Sequence, residues 1–253
     1  MKGTAMPSSD LNGKVALVTG GSRGLGAAIA KRLAAEGANV VLTYVGSEEK
    51  ARAVAAEIEA TGRRALAIRA DSADPAAVVR AVEETVRAFG GIDILVNNAG
   101  IWMDGPLLEA TIEDFNRIIA VNVRAVFVAA QAAARHMKSG SRIINIGSNL
   151  ADRVHSPYMT LYSMSKSALV GLTKGMARDF GPSGISVSLI SPGPTDTDMN
   201  PANGAHAEHQ RSLMAIPVYG RADEVAGLVA YVASAEGRSA NGAQWVIDGG
   251  VNA

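Results

Sequence analysis

The sequence contains no cysteine, which excludes a disulfide framework, a thiolate metal site and a cysteine nucleophile. It also lacks net charge: 24 Lys and Arg balance 24 Asp and Glu, and no long run of one sign occurs. A basic footprint for nucleic acid or for an anionic membrane is therefore missing. The first residues, MKGTAMPSSDLNG, are polar and do not read as a signal peptide, and no unbroken run of about 18 apolar residues is found. The expectation is a soluble, cytoplasmic protein, with residues 1–10 as a flexible tail and 11–253 as one domain.

What is present points to an α/β fold. With 253 residues, 48% of them hydrophobic, the chain is long enough to bury one large core. Short β-branched apolar runs at 14–19 (KVALVT), 39–44 (NVVLTY), 65–70 (ALAIRA), 92–97 (IDILVN), 142–147 (RIINIG), 185–190 (ISVSLI) and 244–247 alternate with longer stretches at helical spacing. Continuous apolar runs predict strands covered on both faces, and their alternation with helices predicts a doubly wound, seven-stranded parallel sheet. Asp74 followed by Pro75 suits a helix start, Thr111 with Asp114 a capping box, and Gly90-Gly91 a helix end. The segment 115–137 is apolar nearly all round, as a helix with two buried faces would be. A symmetric homo-oligomer explains it; cover by neighbouring helices of the same chain is the alternative.

After the first strand comes TGGSRGLG, with glycines at 20, 24 and 26. A glycine-rich turn that opens a helix brings backbone amides and the positive end of the helix dipole to a pyrophosphate, so a dinucleotide is expected here. The second strand and its exit (NVVLTYVGS) carry no acid to hold a ribose 2′-hydroxyl. Arg23, at the helix entrance, suits a phosphate, and the pair of features favours NADP(H) over NAD(H).

The stretch YSMSK places Tyr162 and Lys166 one helical turn apart. A free phenol titrates near 10, and an adjacent ammonium would lower that value toward the working range of a proton donor and acceptor. Ser148, ending the fifth strand, could hydrogen-bond an oxygen on which charge develops. His206 and His209 are three apart but find no evident third ligand, so no metal is expected. The segment 199–217 follows the sixth strand, where a substrate lid would sit. Trp102, Met103, Leu150, Tyr158 and Met199 are candidates for an apolar substrate wall, with Asn149 beside them.

TGGSRGLG, NNAG (97–100), Asn122 within VNV, Ser148, Tyr162 with Lys166, and SPGPTDT (191–197) occur in this order, and from about residue 11 onward the chain resembles the short-chain dehydrogenase/reductase family. That resemblance implies a single Rossmann domain, commonly tetrameric, which interconverts a ketone and a secondary alcohol with a nicotinamide cofactor. It implies that Tyr162 is the proton donor and acceptor, that Ser148 binds the substrate oxygen, and that Lys166 also holds the nicotinamide ribose. Asn122 would hold a water in a relay to Lys166. Cofactor contacts implied by the same likeness are Gly20, Ser22, Arg23, Gly24, Leu25, Gly26, Thr43, Tyr44, Asp71, Ser72, Asn98, Ala99, Gly100, Pro192, Gly193, Thr195 and Thr197. YVGSEEKA is similar to 3-oxoacyl-carrier-protein reductases. NPANG, LMAI and ARDFGPSGI resemble a branch described as cyclic-di-GMP-binding mediators of biofilm dispersal, where a regulatory binder with little turnover is the competing expectation.

Overall fold

A computed structural model describes residues 11–253, so the expected N-terminal tail lies outside the described residues. Seven parallel strands, β1 (Val15–Val18), β2 (Asn39–Tyr44), β3 (Ala65–Arg69), β4 (Ile94–Asn97), β5 (Arg142–Ile146), β6 (Ser186–Pro192) and β7 (Gln244–Ile247), form one sheet in the order β3-β2-β1-β4-β5-β6-β7. The chain order reverses between β1 and β4, the point where such sheets leave a crevice at their carboxyl ends. The doubly wound, seven-stranded expectation is met.

Alternate residues along each strand feed two separate cores. Ala16, Val18, Val40, Leu42, Ile94, Val96, Ile144 and Ile146 face one side, against α1 (Gly24–Ala35) and α8 (Ala222–Ala233). Leu17, Val41, Leu95, Ile143 and Val187 face the other, against α3 (Pro75–Phe89), α5 (Ala125–Ala134) and α6 (Thr160–Phe180). Two buried faces are why the strands read as unbroken apolar runs rather than as alternation.

Local punctuation follows the sequence. Asp74 accepts a hydrogen bond from the Ala76 amide at 2.9 Å and Pro75 occupies the first turn of α3. Gly90 ends that helix in the left-handed region at φ 84°, where a Cβ would be strained. Thr111 and Asp114 form the reciprocal capping box that starts α4 (Ile112–Ile119).

The apolar segment contains a feature its composition does not signal. Between α4 and α5 the helix widens to a π turn at Ala120–Arg124, and Asn122 lies within it. Single π turns inside α-helices occur often at functional sites. The joined helix Ile112–Ala134 is long and apolar enough on average to cross a membrane by length and composition, although polar residues interrupt it. More than half of its most apolar window is buried inside the protein, as in the core helix of a water-soluble fold.

Candidate active site

The glycine loop leaves β1 and enters α1 through a turn that demands glycine at several points. Gly20 and Gly24 have φ of 66° and 52°. A Cβ at Gly26 would stand 2.3 Å from the Gly20 carbonyl oxygen and 2.5 Å from Asn98 Nδ2. Gly21, a position the sequence reading passed over, is equally constrained, since its Cβ would meet that of Leu42 at 2.6 Å. No side chain caps α1 and no acid sits in its first turn, so its free amides and positive dipole end remain for an anion.

Several expected cofactor contacts turn out to brace this loop. Asn98 Nδ2 donates to the Thr19 and Gly20 carbonyls at 2.9 and 3.2 Å. Thr19 Oγ1 accepts from the Asn98 and Ala99 amides, both at 3.0 Å. Thr43 is buried and accepts from the Gly20 amide at 3.0 Å, and Tyr44 is buried in the core. These side chains hold β1, β2 and β4 in register around the loop. Asp71 Oδ1 accepts from the Ala73 amide at 2.8 Å in an exposed turn, with Ser72 buried beside it. After β6, Gly193 passes so close to Asp248 that a Cβ would lie 2.4 Å from that residue's own Cβ. Thr195 Oγ1 donates to the Gly193 carbonyl at 3.0 Å, and Thr197 packs beside Gly24. Arg23 and Asp198 come within 3.9 Å across the mouth of the loop.

Ser148, Tyr162 and Lys166 meet at the carboxyl end of β5. Ser148 caps a short turn by accepting from the Leu150 amide at 3.2 Å, and its hydroxyl is near enough to the Tyr162 phenol to lower that group's pKa. Lys166 is buried on α6 and donates from Nζ to the Ile146 carbonyl at 2.9 Å. Its Nζ is 5.7 Å from the centre of the Tyr162 ring. Gly100 lines the same place: a Cβ there would be 3.4 Å from Asn122 Oδ1 and 3.6 Å from Lys166 Nζ.

The electrostatics differ from the sequence expectation. Burial pushes the Tyr162 phenol up to about 12, against a smaller downward pull from the Ser148 hydroxyl. Burial also pushes Lys166 down, to about 8. Desolvation disfavours both charged forms here and outweighs any help an ammonium gives the phenolate. The cause was illegible because i, i+4 spacing reports adjacency on a helix and not the dryness of the face. Lys166 also spends one proton on the Ile146 carbonyl instead of on the phenol.

Asn122 braces the site from the neighbouring helix. Its side chain accepts from the Ile101 amide at 2.9 Å and donates to the Ile101 carbonyl and to Ser165 Oγ, both at 3.0 Å. Ser165 in turn donates to the Tyr162 carbonyl at 2.7 Å. Asn122 thereby ties the strand β4 exit to α6, fixing the helix that carries Tyr162 and Lys166. Its side-chain amide is engaged with these protein partners.

The substrate wall is assembled only in part. Trp102 stacks on Tyr162 with ring centres 4.5 Å apart and planes inclined at 49°. Tyr158 and Met103 border a cavity of about 210 Å³ that also has Leu107, Asp114 and Leu161 on its walls. Tyr158 has φ 70°, the sole non-glycine residue in the left-handed region among the described residues, a strained position typical of functional clefts. Leu150 and Asn149 are instead buried, and Met199 is exposed away from that cavity's walls. In the lid segment, α7 (Ala207–Ser212) is tied to the body by Tyr219, whose hydroxyl donates to Gln210 at 2.8 Å. His209 sits 3.2 Å from Ser156 Oγ, and His206 is the residue before α7.

Comparison with known proteins agrees with this geometry. Residues 14–208 match the family model described as short chain dehydrogenase. A short chain dehydrogenase from Burkholderia cenocepacia, solved in complex with NADP, is 62% identical and superposes with a TM-score of 0.96 over 96% of this chain and 100% of that one. A blue fluorescent protein from a metagenomic library, solved with NADPH, is 53% identical with a TM-score of 0.95 over 96% of this chain and 100% of its own. The cyclic-di-GMP-binding biofilm dispersal mediator protein of Escherichia coli is 46% identical over 95% of this chain and 98% of its own length.

Proposed function

Because this chain belongs to the short chain dehydrogenase family, we propose that it is an NADPH-dependent reductase that converts a ketone to a secondary alcohol, with Tyr162 as proton donor. The observation that carries the reading is the buried Lys166, with Nζ 5.7 Å from the Tyr162 ring and bonded to the Ile146 carbonyl where β5 gives way to Ser148, near the glycine loop that opens the uncapped α1. The residues fit a dinucleotide: the loop leaves no room for a Cβ at Gly26, and the amides opening α1 await an anion. NADPH over NADH is supported by relatives solved with NADP and NADPH and by the absence of an acid along 39–47.

When bound, NADPH would supply the hydride to the carbonyl carbon. Ser148 holds the carbonyl oxygen as negative charge develops on it. Tyr162 Oη gives that oxygen its proton. With the phenol held at about 12, the donating form predominates at neutral pH, which suits reduction rather than oxidation. Lys166, at about 8, is mostly an ammonium at neutral pH and stabilises the phenolate left behind. Gly20, Ser22, Arg23, Gly24, Leu25 and Gly26 would hold the phosphates, and Lys166 the nicotinamide ribose. Trp102 and Tyr158 favour a ketone with an apolar or aromatic substituent, covered by the segment 199–217. The exposed Phe115 and Phe127 along the joined helix suit a homotetramer, and the reading is of a cytoplasmic enzyme.

A cyclic-dinucleotide-binding regulator on the same fold is the second reading, favoured by the name and identity of the Escherichia coli relative. Turnover separates the two. NADPH consumption against a panel of aryl ketones, β-keto esters and cyclic ketones, with NADH in parallel, should show at least one good substrate and a preference for NADPH. Silence across the panel with cyclic-di-GMP bound tightly would favour the regulator.

A further inference from the structure

Two cations on different elements converge on one carboxylate at the rim of the glycine loop. Arg23 Nη1 and Lys50 Nζ lie 3.9 and 3.6 Å from the same oxygen, Asp198 Oδ2. Arg23 precedes α1, Lys50 lies in the first turn of α2 (Glu48–Glu59), and Asp198 follows β6 at the threshold of the segment 199–217. Glu48 and Glu49 open α2 beside Lys50, with Glu48 paired to Arg52, and Asp198 is the carboxylate that Arg23 and Lys50 share. Both cations are long, exposed side chains that can turn to another anion without unfolding anything.

We propose that Asp198 is an internal counter-ion which holds Arg23 and Lys50 at the rim and yields them to the 2′-phosphate of NADP(H), and so sets the cofactor preference. The inference rests on the NADP(H) reading above and adds two residues to it, Lys50 and Asp198. A dianionic phosphate ester matches two convergent cations better than a single carboxylate does. Asp198 therefore competes with the phosphate, and the competition lowers affinity for NADP(H) while leaving NAD(H), which lacks the phosphate, untouched.

The test is calorimetric titration of the full chain and its Asp198→Asn variant with NADP+ and with NAD+, at low and at moderate salt. The expected result is about threefold to tenfold tighter NADP+ binding, an NAD+ affinity changed by less than about twofold, and a gain that shrinks as salt is added, as for exposed ion pairs. In an Arg23→Ala, Lys50→Ala background the Asp198 substitution should no longer alter the ratio. Equal changes for both cofactors, or weaker NADP+ binding in Asp198→Asn, would overturn the proposal. If the unaltered protein bound NADP+ and NAD+ alike, the phosphate reading itself would fail, and this inference with it.

Discussion

Replacing Lys166 with Met should cost activity while removing a stability penalty, and the pH dependence of that penalty can be worked out in advance. Lys166 is pushed from an ordinary 10.5 to about 8 by burial. The unfolded chain therefore holds a proton at this site that the folded chain gives up between pH 8 and 10.5, so folding stability contributed by the site rises with pH across that window. Below pH 8 both states carry the proton and the full penalty applies, roughly 3 kcal/mol. Integrated across the window, the unaltered protein should gain about 2 kcal/mol over Lys166→Met between pH 7 and pH 9.5. Urea unfolding of both proteins at several pH values supplies the test, because every other titrating group cancels in the difference. A difference that stays flat over this range would refute the argument that Lys166 is dry and strained in the folded state.

The remaining expectations concern the loop and its supports. Arg23→Ala should weaken NADPH by about tenfold to a hundredfold through loss of a charge-assisted contact, with NADH changed little; equal losses in titration would count against a phosphate at this rim. Gly26→Ala should abolish binding of either cofactor, since its Cβ would sit 2.3 Å from the Gly20 oxygen, and a variant that binds normally would contradict the close-approach argument. Asn122→Ala removes three hydrogen bonds to Ile101 and Ser165 and should cost on the order of 2 to 4 kcal/mol in denaturant unfolding. That variant should also lower kcat more than it raises KM, because the helix carrying Tyr162 and Lys166 loses its tie; unchanged kcat would show that the tie is structural only.

Much of this was legible in the sequence because the signals were local. The strand runs, the Asp74-Pro75 start, the Thr111 and Asp114 box and the Gly90 stop each depend on a few neighbouring residues and basic sterics. The glycine loop was legible for the same reason. The π turn at Ala120–Arg124 was not, since nothing in AVNVR breaks the helical pattern. The direction of the Tyr162 shift was missed because it depends on enclosure by groups distant in sequence, Trp102 among them. The support that Asn98 gives the loop, donating its amide to the Thr19 and Gly20 carbonyls, was illegible because those partners lie far away in sequence. Lys50 and Asp198 lie 148 positions apart in the numbering, and only the folded chain brings them to one rim.

The proton held by Tyr162 is the centre of the proposed chemistry. Tyr162→Phe keeps the ring that stacks on Trp102 and removes only the hydroxyl, so NADPH consumption with the best ketone of the panel should fall by about a thousandfold or more while NADPH affinity, measured on the same preparation, stays within about twofold. A variant that still turns over at the unaltered rate would contradict the assignment of Tyr162 as proton donor and the mechanism built on it.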